Sequence, residues 1–425
     1  MANTFGALLH LRTKPLADCA LAERVGQLCT QHAHVWRDRL LTPLVTVRLM
    51  LIQVLHGNTA IAHLRHLADM DFADSSYCDA RQRLPLVILQ ELIAWVAAVA
   101  AERAQRCTLG VRVFVADCSS FSMPDTPQLR GHFGRVKARG AKAGVSYPVA
   151  KLVALMDAAT GLFTQLLAAP LYTHEQRHLP DLHTLLAAGD VLLGDRAYCS
   201  FAHLALLQLR GVFGCFRLHQ RRKDTAAGRR QWRRPKTAPT WLTPQQWLAL
   251  PKWLDVRLVS FSTGERGFRT RRVTVATTLL DTVAWPDEKI AELYGGRWRI
   301  ETSFGHMKTT MGMNVLKCQS VDGVSKELAA YLLAYNLLRL AMLAAAQRQG
   351  CSVWRISFVD ALRWLTARVL GLGGDGTGAA FRLVEVPDRP GRHEPRVIRR
   401  RMKEYDLMTK PRHEYKSSIK KRKTA

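Results

Sequence analysis

Apolar positions along this chain change their spacing three times. Up to about residue 105 they recur near every 3.6 residues, as in "TPLVTVRLMLIQVLHGN", "AIAHLRHLADM" and "SSYCDARQRLPLVILQELIAWVAAV". That period predicts amphipathic and buried helices. At "VRVFVADCSS" (111–120) the texture becomes β-branched and aromatic, which predicts a strand stopping at Asp117. A long polar loop follows. "YPVAKLVALMDAATGLFTQLLAAPLY" then reads as a hairpin, two apolar strands about the turn signal "DAATG". "LPDLHTLLAAGD" predicts a short helix, "VLLG" a buried strand ending at Asp195, "SFAHLALLQLRG" a helix and "VFGCFRL" a strand.

Residues 218–284 differ again. A basic loop, "HQRRKDTAAGRRQWRRPK", precedes a strand-like alternation, "WLDVRLVSFSTGERGFRTRRVTVATTLLD". A helix is predicted from about Pro286, with Asp287 and Glu288 at the positive end of its dipole and Gly312 past its end. Residues 325–349 form a long apolar helix, and the chain closes in a tail rich in proline, arginine and lysine. The expected architecture is α/β, a mixed sheet with flanking helices interrupted by a β-rich insertion. The expected divisions are 1–105 (helical), 106–217 (core, first part), 218–284 (insertion), 285–348 (core, second part) and 349–425 (helical segment and basic tail).

Composition sharpens this picture. Lys and Arg outnumber Asp and Glu by 62 to 34, a net charge of +28, while 48% of residues are hydrophobic. A folded protein that cationic implies a polyanionic partner, and nucleic acid is the commonest large one. Arg39, Arg48, Arg65, Arg81 and Arg83 make the N-terminal helices a candidate docking surface for duplex DNA, or a packing and dimer module. Nine scattered cysteines without paired metal-ligand spacing point to structural thiols in a reducing, cytoplasmic compartment. The N-terminus shows no long apolar signal core. Two apolar runs reach spanning length, but Gln90 and Glu91 interrupt one, and Asn336 and Arg339 the other. These are expected to be buried protein helices, with no membrane partner.

The chemistry concentrates in "LYGGRWRIETSFGHMK" (293–308). At 100° per residue, Arg297 lies about 60°, Glu301 about 20° and Lys308 about 40° from Tyr294, so one continuous helix would carry all four in a narrow stripe. A lone carboxylate between a phenol and two cations suits a helix laid along a phosphate backbone. A lone Glu cannot hold catalytic metal on a phosphodiester, because two-metal phosphoryl transfer needs several carboxylates. Asp117 and Asp195 complete the set if their strands are neighbours in one sheet. Hard oxygen ligands of this kind suit Mg2+ or Mn2+, two ions in the usual scheme.

These residues carry a resemblance. "ADCSSFSMPDT", "GDVLLGDRAYCS" and "YGGRWRIETSFGHMK" resemble the segments holding the three catalytic acids of the DDE transposases of bacterial insertion sequences, in the group named after insertion sequence four. The last segment fits the group's Y-x2-R-x3-E-x6-K signature without a gap. "HEQRHLPDL", "TTLLD" and "KELAAYLLAYNLLRLAM" are also similar to that family. The resemblance implies a ribonuclease H-like core and Asp117, Asp195 and Glu301 as catalytic metal ligands. It further implies a homodimer bound to two transposon ends, and cleavage followed by strand transfer into target DNA, in several members through a hairpin. Arg297 and Lys308 are then expected at phosphates, and Tyr294 at a phosphate or a water. Arg196 is expected to support Asp195 or to touch DNA. Trp298, or Trp232, Trp241, Trp247 or Trp253 in the insertion, is a candidate platform for a flipped base.

Other motif matches carry less. "HEQRH" (174–178) fits a zinc-protease string, but Pro180 forbids the continuous helix it needs. "HLRHL" (63–67) reads as polar positions of an amphipathic helix. "GLGGDG" sits in a linker with no strand before it, which argues against nucleotide binding.

Overall fold

The computed structural model describes residues 20–103, 110–135, 147–173, 175–219, 222, 226–262, 272–370 and 382–387. The GxG-type linker, the basic C-terminal tail and His174 of "HEQRH" lie outside the described residues. Residues 175–178 form a 3-10 turn followed by a five-residue helix.

Five helices open the described chain: α1 (Ala20–Gln31), α2 (Pro43–Leu55), α3 (Ile61–Ala68), α4 (Asp74–Arg83) and α5 (Leu86–Arg103). Helix α2 starts where Thr42 accepts from the Val45 N–H and Pro43 fills the first turn. Nearly every residue of α2 is buried, as its all-round apolar sequence requires. Strand β1 (Val113–Ser122) and helix α6 (Pro127–Phe133) come next, then the hairpin β2 (Val149–Asp157) and β3 (Phe163–Pro170). Helix α7 (Leu179–His183), β4 (Val191–Gly194), α8 (Phe201–Leu209) and β5 (Phe213–Arg217) complete the first part of the core.

The segment predicted as an insertion supplies β6 (Gly228–Arg233), α9 (Pro244–Ala249), β7 (Trp253–Ser262) and β8 (Arg272–Thr277). Its strands continue the central sheet, whose order is β3-β2-β1-β4-β5-β8-β7-β6. Strands β1, β4 and β5 are parallel neighbours, and the remaining pairings are antiparallel. The basic loop expected before β7 contains β6. There Arg229 and Arg233 face solvent on the sheet's edge while Trp232 turns inward, a charged edge strand of the kind that resists unwanted pairing.

After the sheet come α10 (Asp287–Gly295), α11 (Trp298–Gly305), a π-turn (His306–Thr310), α12 (Val321–Gln349) and α13 (Phe358–Val369). Alternation along β1 feeds two cores. Val113 and Val115 pack with α2, α5 and α12, whereas Phe114 and Ala116 pack with α8 and the β6–β8 side. The N-terminal helices therefore share one core with the sheet and α12.

Helix α12 is long and apolar enough to cross a membrane, yet 94% of its most apolar window is buried inside the protein. The two polar residues that interrupt its sequence explain themselves by contact. Asn336 exchanges hydrogen bonds with the backbone N–H and C=O of Phe163 at 3.1 and 2.8 Å. Arg339 donates twice to the Thr160 carbonyl, at 3.1 and 2.8 Å, and lies over the Trp354 ring. Both clamp the turn of the β2–β3 hairpin, where Gly161 takes φ +72°.

Candidate active site

Strands β1 and β4 run in register, Val113 beside Val191 and Val115 beside Leu193. At the entry to this pair Arg112 Nε and Nη2 donate to Asp190 Oδ1 and Oδ2 at 2.9 and 2.7 Å. Two residues past Val115 and Leu193 come Asp117 and Asp195, on one face by the strand period of two. Strand β4 ends at Gly194. Strand β1 does not stop at Asp117, as its sequence suggests, but continues to Ser122 because β2 still supplies partners, from Asp117 beside Ala154 to Ser122 beside Val149. The two aspartates thus sit where the parallel pair parts. Each fixes one oxygen on nearby backbone: Asp117 Oδ1 accepts from the Cys118 N–H at 2.8 Å, and Asp195 Oδ1 from the Ala197 N–H at 2.7 Å.

The third acid arrives on helix, though not the continuous helix that the sequence predicts. Gly295 and Gly296 end α10, and the chain tightens to i→i+3 bonds, Arg297 N–H to the Tyr294 carbonyl at 3.0 Å and Ile300 N–H to the Arg297 carbonyl at 3.2 Å. Two adjacent glycines weaken the helix there, and the tighter turn rotates Tyr294 off the stripe. A π-turn at 306–310, closed by Met311 N–H to the His306 carbonyl at 2.9 Å, shifts the register again.

The predicted residues are therefore partitioned. Arg297 Nη2 donates to Glu301 Oε1 at 2.7 Å, and its Nη1 lies 3.5 Å from Asp117 Oδ2. Lys308 Nζ donates to Ser119 Oγ at 3.1 Å, on the same β1 face as Asp117. Tyr294 is buried, and its hydroxyl donates to the Gly194 carbonyl at 3.3 Å, away from solvent. Arg196 and Trp298 are exposed beside this group, with the Arg297 guanidinium 5.2 Å from the Trp298 ring. In the insertion Trp232 and Trp247 are core residues, whereas Trp253 is exposed. Arg299 and His306 face elsewhere, against Trp354 and Phe358. Ser119 and the Gly194 carbonyl are partners that the sequence reading did not single out. Ser119 was findable, being two positions past Asp117 on one strand.

Electrostatics bind the three acids together. Burial pushes the Asp117 carboxyl up to about 6; the Cys118 N–H and Arg297 oppose this, and the charges of Asp195 and Glu301 add to it. Asp117 therefore feels both other acids. Of the three carboxylates, those of Asp117 and Glu301 bind the Arg297 guanidinium directly.

A family profile described as "Transposase DDE domain" matches residues 110–337, more than half of the chain. The chain belongs to the transposase DDE domain family. It is similar to Transposase InsG for insertion sequence element IS4 of Escherichia coli (strain K12), at 25% identity over 363 residues, 80% of this chain and 79% of InsG. That likeness is consistent with the group of IS4. Among solved structures it is also similar to a cryo-EM structure of a piggyBac transposase synaptic complex with hairpin DNA, at 9% identity and a TM-score of 0.44, covering 86% of this chain and 79% of that one. A DDE transposase is a DNA-cleaving and transesterifying enzyme, and the family works with divalent metal ions.

The residues present suit such ions in kind. All three candidate ligands are hard oxygens, and a cation already sits between two of them. Among the described residues no three histidine, cysteine, aspartate or glutamate side chains are gathered closely enough to hold an ion as they stand. Arg297 occupies one oxygen of Asp117 and one of Glu301.

Proposed function

We propose that this transposase binds the terminal inverted repeats of its insertion sequence, cuts at the element's ends and transfers the freed strand into target DNA. Asp117, Asp195 and Glu301 are assigned as the ligands of Mg2+ or Mn2+, two ions in the working site. The observation that supports this reading is the register of β1 with β4, which runs to two residues short of Asp117 and Asp195, together with the charges of Asp195 and Glu301 that both bear on Asp117.

Bound divalent ions would activate the attacking oxygen and neutralise the leaving one. The chain's own part is placement. The backbone N–H groups of Cys118 and Ala197 orient two carboxylates, Lys308 stands beside Asp117 through Ser119, and exposed Arg196 and Trp298 border the face where a strand would lie. Each reaction step is an in-line displacement at a phosphodiester, so one such site serves hydrolysis and strand transfer in turn. The helical region up to residue 103 is proposed to contact DNA or a second subunit, a homodimer bringing two ends together. Its arginines and the net charge of +28 support this.

The test uses duplex carrying the element's end, supercoiled target and Mg2+. Wild type is expected to cut and join. Glu301→Gln is expected to bind the duplex equally and to cut at background rate. Unchanged cutting by that variant would sink the assignment, and cut ends that never join would make the protein a nuclease.

A further inference from the structure

The group most firmly seated among the acids is Arg297. The residue is 7% exposed, its guanidinium held by Glu301 Oε1 at 2.7 Å and Asp117 Oδ2 at 3.5 Å, while its Nε–H meets no partner. It enters from the broken turn between α10 and α11, above the exposed Trp298 ring.

Placed so, Arg297 competes with any metal ion for the same oxygens. We propose that Arg297 is an internal counter-ion that a divalent ion must displace, and that a DNA phosphate then receives the released guanidinium. An arginine fork fits a carboxylate and a phosphate equally well, so the exchange keeps its hydrogen bonds. Two sites that share one mobile cation are coupled, and coupling in binding is reciprocal: DNA strengthens metal binding and metal strengthens DNA binding. Arg297 is thus a positioning residue that links metal loading to substrate arrival. The proposal rests on Asp117, Asp195 and Glu301 being the metal ligands.

The experiment measures Mn2+ binding to the intact protein by electron paramagnetic resonance of the free ion, with and without a short random-sequence duplex. Without DNA, Arg297→Gln is expected to bind Mn2+ about tenfold more tightly than wild type, within the usual range of coupling factors. Adding the duplex is expected to tighten Mn2+ binding to wild type and to leave the variant unmoved. Equal or weaker Mn2+ binding by Arg297→Gln without DNA would overturn the proposal, since a mere brace or a simple phosphate clamp gives that result. Thermal melts check that the variant is folded. If it is not, Arg297→Lys, which keeps the charge but not the fork, is expected to tighten Mn2+ binding by a smaller factor, and no tightening overturns the proposal equally. Failure of the ligand assignment looks different: Asp117→Asn and Glu301→Gln would then bind Mn2+ as wild type does.

Discussion

The β1–β4 pair has two ends about 16 Å apart, at some 3.3 Å per residue, and they are built on opposite charge logic. At the entry, Arg112 grips Asp190 with both prongs of its fork, and Asp190 Oδ2 also accepts from the Ala187 N–H at 2.8 Å. One cation meets one anion. At the exit, Arg297 bridges Asp117 and Glu301, while the charges of Asp195 and Glu301 both bear on Asp117. Burial does not separate the two ends, for Asp190 is more deeply buried than Asp117. Charge balance separates them. The paired end braces the register of the strands, and that register carries the acids toward the other end, where Arg297 and Lys308 also stand.

The comparison breaks most visibly at the closed end. Asp190→Ala removes a bidentate partner and leaves the Ala187 N–H and Arg112 unpaired. Arg112 is half exposed and water recovers part of the loss, so the expected cost is about 2–3 kcal/mol in urea denaturation. Cleavage should fall as well, because Asp195 is positioned through that register. Unchanged stability would show that apolar packing alone aligns the strands. At the open end the sign reverses. Asp117 has an ordinary value of 3.8 and is raised to about 6, chiefly by burial. Between those values the folded protein holds a proton that the unfolded chain has lost. The stability this proton confers is complete below pH 3.8 and is lost as pH rises through about 6. Asp117→Asn cannot ionise, so above pH 6 it should be more stable than wild type by about 1–2 kcal/mol after the lost Arg297 contact is discounted. Below pH 4 the two should coincide. A destabilised variant at pH 7.5 would mean that the exit is balanced after all.

Much of this was legible in the chain. The apolar runs at 113–116 and 191–194 announce buried strands ending near acids, and the turn signal at 157–161 announces the hairpin that joins β2 to β3. The signature spacing brought Arg297, Glu301 and Lys308 to one site. What failed was the assumption of an unbroken helix. Gly295 and Gly296 were visible, but whether adjacent glycines bend a helix or ride through it depends on what packs against it, here the core that buries Leu293, Tyr294 and Ile300. The strand end at Asp117 failed similarly, since a strand's length depends on its neighbours, and β2 outlasts β4. Arg339 posed the hardest problem. In sequence it resembles Arg297, a cation near aromatics on a helix. Only contact shows one satisfied by a neutral carbonyl and the other by two carboxylates. A metal ion competes for carboxylates and not for Arg339's partner, so Arg339 is structural.

The smallest expected effect tests where the exit is held rather than how it is charged. Tyr294 ties α10 to the last residue of β4 through one long hydrogen bond to Gly194, the residue before Asp195. Tyr294→Phe keeps the ring against Phe261 and removes only that bond, so it should cost about 0.5–1 kcal/mol of stability. If the bond positions Asp195, cleavage should slow by about tenfold, the scale of an outer support, while DNA affinity and its salt dependence stay unchanged. Lys308→Ala is the contrast, because losing a phosphate-facing cation should lower affinity and reduce the salt slope by about one. Should Tyr294→Phe weaken DNA binding instead, with cleavage of bound DNA unaltered, the hydroxyl would belong to the DNA surface. The brace between α10 and β4 would then have to come from packing alone.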